Sequence, residues 1–117
     1  MANDKNFLIK NGLQAGRYLQ TGVAMAANDV DLSLGTYFTK TISGSTTLTF
    51  TNAPASGKAV GFAVEINGDG SAITWPSSVK WHEAAAPTAT ATKELYTFVT
   101  TDGGTTYYGK LAGSDIA

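Results

Sequence analysis

The sequence predicts an all-β fold: a small antiparallel β-sandwich or jelly-roll-like barrel with an extended N-terminal arm. Three observations predict it. Apolar residues alternate with polar or small ones through several short segments. Asn-Gly and Asp-Gly-Gly turns punctuate those segments, and strands recur at a spacing of about eight to twelve residues. No stretch carries the periodicity of a long amphipathic helix, and strands joined this way without helices belong to sandwiches and small barrels.

The first thirty residues stand apart. They hold one short apolar run, Phe7, Leu8 and Ile9, followed by Gly12, Gly16 and Gly22, which interrupt any helix. Residues 23–27 have helical propensity but are too few to hold a helix alone in water. Residues 1–30 therefore read as an arm, extended or built of short strands, that needs a surface to lie on. That surface is either a partner subunit or the domain behind it. Residues 31–117 read as the β-sandwich domain.

Within the domain, residues 36–42 ("TYFTKTI") form the first strand and residues 46–51 ("TTLTFT") the second. Leu48 and Phe50 share one face of the second strand, and Thr47, Thr49 and Thr51 the other. Threonine suits the wet face because its β-branch favours extended backbone. After the turn-rich "TNAPASGK", residues 59–66 ("AVGFAVEI") set Val60, Phe62, Val64 and Ile66 against Gly61, Ala63 and Glu65. This pattern predicts a central strand whose second face is small enough for something to approach closely.

"NGDGS" then predicts a hairpin reversal, since Asn-Gly is a strong short-range hairpin signal. "AITW" runs back until Pro76, and "VKW" resumes as a short strand. The chain thus places both tryptophans, Trp75 and Trp81, on either side of a Pro-Ser-Ser turn, where they predict rings packed on the sheet. "HEAAAPTATATK" is a loop by composition. "ELYTFVTT" and "TTYYGKLA" are strands joined at Asp102–Gly104, a second predicted hairpin. Tyr107 and Tyr108 are consecutive, so in a strand their side chains leave by opposite faces. One of them points away from its own core.

Composition narrows the function. Charged residues make up 15% of the 117 positions, against roughly 25% in typical soluble domains; such a surface suits subunit contacts. The net charge of -1 and the scattered basic residues argue against a nucleic-acid binder, which needs clustered cations to displace counterions. No apolar run approaches the roughly 20 residues of a membrane span, and "MANDKNFLIKNG" lacks a secretion signal's apolar centre. With no cysteine and a single histidine, no thiolate metal site, disulfide frame or His-based relay is available beyond His82. His82 adjoins Glu83 at the start of a polar loop, where both read as solvated. "NGDGS" lacks the acid that a calcium loop needs at its twelfth position, because Ser78 stands there, counted from Asn67. No cofactor, metal or catalytic set is predicted. The aromatics read as core or contact residues, with a sugar platform at Trp81 and His82 as the competing interpretation.

The order of motifs resembles a module of tailed-bacteriophage virion proteins, found chiefly at the C-terminal ends of tail fibres. The resemblance runs over about residues 31–113: "YFTKTISGSTTLTFTNAPASGKAVGFAVEI", then "ITWPSSVKW", then "AAAPTATATKELYTFVTTDGGTTYYGKLAG". "DKNFLIKNGL" is also similar to segments that open repeats in phage fibre proteins. The resemblance implies a non-enzymatic structural β-module, usually trimeric, made in the host cytoplasm and carried in the virion. In that family the module ends a longer fibre, whereas here it is most of the chain. This leaves a tail fibre or short tail appendage, a capsid-decorating clamp, or a receptor module for host glycan. The expected partners are further copies of the chain and tail or major capsid proteins, with host surface glycan as the alternative. The candidate contact residues are Phe7, Leu8, Ile9 and Tyr18 in the arm and Trp81, His82, Tyr107 and Tyr108 in the domain.

Overall fold

The computed structural model describes residues 9–116; Phe7 and Leu8 lie outside the described residues. The fold is all-β. Its main sheet has six strands: β1 (Val23–Ala24), β3 (Tyr37–Thr41), β6 (Val60–Asn67), β9 (Lys93–Thr100), β10 (Tyr107–Ile116) and β8 (Val79–Trp81), in that spatial order. Two short parallel pairs cover one face: β2 (Asp29–Asp31) with β5 (Thr49–Thr51), and β4 (Thr46–Thr47) with β7 (Ile73–Thr74). From β1 to β8 the chain passes back and forth between sheet and cover, and β9 and β10 then complete the sheet.

That alternation makes the sheet mixed. β6, β9 and β10 are antiparallel, but β1–β3, β3–β6 and β8–β10 run parallel. A parallel pair needs a crossover connection. Here residues 42–59 supply the crossover between β3 and β6, and they build β4 and β5 of the cover on the way. The antiparallel arrangement expected from the turn signals therefore holds only for the β6–β9–β10 half.

"NGDGS" does not make a hairpin. Its backbone instead prolongs the β6–β9 ladder: Gly68 N–H donates to the Thr92 carbonyl at 3.0 Å and Gly70 N–H to that of Thr90 at 3.2 Å. The chain then crosses to the cover, where β7 pairs with β4. Asp69 fastens this corner, accepting from Gly44 N–H at 3.0 Å and Ser71 N–H at 2.8 Å. These hydrogen bonds, Gly44's foremost, hold its carboxyl below the usual aspartate value.

The predicted strand at residues 46–51 keeps its alternation but divides at Leu48. Its first half bonds β7 and its second half β2, and Leu48 itself donates to the Thr74 carbonyl at 2.8 Å. Two segments predicted in or at the end of the arm also join the fold. β1 adds an edge strand, and β2 buries Val30 completely in the core. Lys40 secures their connection by donating to the carbonyls of Ala26 and Ala27.

The core lies between the sheet and its cover. Phe38, Phe62, Val64, Ile66, Tyr96, Phe98 and Tyr107 come from the sheet, and Val30, Leu48 and Trp75 from the covering side. Each such side chain removed from water is worth about 1.5–3 kcal/mol. Phe50 joins the layers, with its ring centroid 5.3 Å from Phe62, 5.1 Å from Phe98 and 4.9 Å from Tyr107, each near edge-to-face. The tryptophans bracket a turn closed by Val79 N–H on the Pro76 carbonyl at 3.1 Å. Gly109 permits this packing. A Cβ there would stand 2.8 Å from Val79 Cγ1 and 3.0 Å from the Phe98 ring.

The β9–β10 hairpin forms as predicted. Gly103 and Gly104 take left-handed backbone at φ 73° and 86°, a conformation glycine adopts without steric cost. Buried Thr100 donates to the Thr106 carbonyl at 2.8 Å, and Asp102 accepts from Thr106 N–H at 2.9 Å.

Candidate interface on the open face of the sheet

Among the described residues no layer covers the second face of the sheet. Strand register shows what it presents. One row across β3, β6, β9 and β10 reads Tyr37, Ala63, Thr97, Lys110; the next, across β6, β9, β10 and β8, reads Gly61, Val99, Tyr108, Lys80. Strands lie about 4.8 Å apart, so each row spans roughly 15 Å. Small residues at the centre and long ones at the margins make two adjoining shallow grooves of about 430 and 340 Å³, which meet at Thr97 and Val99.

The two ends differ electrostatically. At the β3 end the Tyr37 hydroxyl donates to Glu65 Oε1 at 2.6 Å, and Lys93 Nζ lies 3.4 Å from Glu65 Oε2. The tyrosine hydrogen bond, then Lys93, holds the Glu65 carboxyl below its ordinary value. The same bond pushes the Tyr37 hydroxyl up. At the other end Lys80 and Lys110 have no acidic partner among the described residues.

Tyr107 and Tyr108 do leave by opposite faces. Tyr107 is 3% exposed, and burial pushes its hydroxyl pKa up. It is a core residue, so of the two only Tyr108, at 62%, offers a contact surface. Trp81 is half-buried, edge-on to Trp75 at 5.6 Å and 5.7 Å from the Phe98 ring. Its ring packs against the core, and with His82 it also lines the larger groove.

His82 is exposed, with Nδ1 3.7 Å from Glu83 Oε2. It opens a 3-10 turn, His82–Ala84, in which Glu83 and Ala84 both take positive φ, 59° and 61°. This left-handed bend takes the chain off the sheet edge and ends the pairing of β8 with β10. No group of three or more His, Asp or Glu that could hold a metal occurs among the described residues. No described helix is long and apolar enough to cross a membrane.

The arm supplies further exposed apolar surface. Ile9 is exposed at 40%, and Leu13, Tyr18 and Leu19 at 73, 80 and 72%. Of residues 9–22 only Gln20 lines a groove, where it accepts a hydrogen bond from Thr36 Oγ1.

Sequence reasoning found the small face of β6 and the outward tyrosine, but not that they share one surface. It also missed Glu94, a wholly buried carboxylate opposite Ile66 in the core. Its Oε1 accepts from the Tyr96 hydroxyl at 3.0 Å, and its Oε2 has no hydrogen-bond partner among the described residues. Burial foremost, then Glu94, pushes the Tyr96 hydroxyl far up. The alternation of "KELYTFVT" alone could have placed Glu94 on the face of Tyr96 and Phe98.

Comparison with protein-family models, with curated proteins and with solved structures returns no match to this chain.

Proposed function

We propose that this chain is a structural subunit of a tailed-bacteriophage virion, a component of a tail fibre or tail appendage, that assembles as a homotrimer and performs no catalysis. One observation carries the reading. Among the described residues of this low-charge chain, the arm and the open sheet face both leave apolar side chains uncovered, and uncovered apolar surface of this kind marks an interaction site. The motif resemblance over residues 31–113 supports the virion assignment and the trimer.

Light scattering on the purified chain tests self-assembly, with three subunit masses expected. Gold labelling of the protein on intact particles tests location. A few copies at the tail are expected; labelling across the capsid shell would instead favour the decorating role.

A further inference from the structure

Among the described residues, the arm and the open sheet face both present apolar side chains without a covering layer. We propose that the open sheet face receives the arm of a second copy, with Leu13, Tyr18 and Leu19 of one protomer packed over Gly61, Ala63 and Val99 of its neighbour, between Tyr37 and Tyr108. The proposal rests on the self-assembly reading above and names the surfaces that carry it.

The shape fits. A floor of glycine, alanine and valine is low enough for backbone to approach, and the tyrosines at either margin bound it along the strand-crossing direction. The chemistry fits too. Three large apolar side chains lie in water on an arm with no core of its own, beside a groove whose centre is apolar. Lys80 and Lys110 stand at the rim, where a wet, charged border is usual for an interface.

Geometry points to a neighbour's arm rather than the chain's own. The arm springs from β1 at the sheet edge, and of its described residues 9–22 only Gln20 lines its own groove. Residues 9–19 then leave the surface. Extended backbone spans at most about 3.3–3.6 Å per residue, so residues 9–20 can reach across a second protomer in a molecule measuring 45 × 31 × 28 Å. Arm into face is a head-to-tail contact, and a head-to-tail contact closes into a ring when its rotation permits. A threefold ring leaves no arm and no face empty.

The chain has no cysteine, so introduced thiols report contacts cleanly. Tyr18→Cys and Val99→Cys are placed on separate chains of different tagged mass, co-expressed, purified together and oxidised with copper phenanthroline and dissolved oxygen. Both sites are exposed in the single subunit, and near-UV circular dichroism confirms that each variant folds. A mixed disulfide of summed mass is expected, together with loss of the oligomer by light scattering in Leu13→Asp/Leu19→Asp. An oligomer that survives those aspartates and yields no mixed disulfide overturns the proposal while leaving self-assembly intact. A chain carrying both thiols that closes only on itself overturns it in favour of the protomer's own arm. A native chain that scatters as one subunit at high concentration overturns this proposal and the self-assembly reading together.

Discussion

Trp75 and Trp81 meet edge to face, their ring centroids 5.6 Å apart and their planes at 74°, across the turn that Pro76 and Val79 close. Trp75 also lies 4.6 Å from Tyr96 and 5.3 Å from Phe98. It is the plug between sheet and cover, and Trp81 is its rim. Trp75→Ala should therefore cost about 3–5 kcal/mol, and Trp81→Ala distinctly less. Urea denaturation of the two variants measures the difference, and equal losses would contradict the division of roles.

Gly109→Ala tests the close approach beneath that turn. The added methyl meets the Val79 methyl and the Phe98 ring inside contact distance. Overpacking of this sort costs about 1–3 kcal/mol, so the melting temperature should fall by several degrees. Gly22→Ala, whose new atom meets only Tyr37 at an ordinary 4.0 Å, is the control and should leave it nearly unchanged.

Glu94 and Tyr96 should couple. Tyr96→Phe strips a buried carboxylate of its donor, and Glu94→Leu strips a buried hydroxyl of its acceptor. Each single change should cost about 1–3 kcal/mol, while replacing both partners by apolar groups is close to neutral. The double variant is thus expected to be more stable than either single one. A double-mutant cycle that sums additively would show that the pair is energetically idle.

Acid should loosen the turns first. Asp31, Asp69, Asp102 and Glu65 all titrate below their ordinary values of 3.8 for aspartate and 4.5 for glutamate. The leading causes are hydrogen bonds from the Ser33 side chain, Gly44 N–H, Thr106 N–H and Tyr37 respectively. A depressed folded-state pKa gives stability that is present above the unfolded value and lost as pH falls through the folded one. The urea midpoint should hold from neutrality to about pH 5, then drop steadily in stronger acid. Tyr37, Tyr96 and Tyr107 are raised above 10.0, so a second loss is expected as pH climbs past that value. In Asp69→Asn the acid limb should shrink; an unchanged limb would remove Asp69 from the account.

What the sequence by itself determined is everything that depends on neighbours along the chain. The alternation of side chains across an extended backbone set the core face of β6 and β9 and sent Tyr107 inward and Tyr108 outward. Two glycines after Asp102 made the hairpin, and a proline turn brought the tryptophans together. Pairing partners were another matter, because a ladder hydrogen bond carries no residue identity. Whether Thr46 joins Ile73, whether Tyr37 runs parallel to Ala63, and whether "NGDG" reverses or prolongs β6 depend on which distant backbone groups remain free. The same holds for the open face. Gly61, Ala63, Val99 and Tyr108 lie far apart in sequence, and only the register of three strands puts them on one surface. The other side is buried against the cover, and among the described residues this surface stays open.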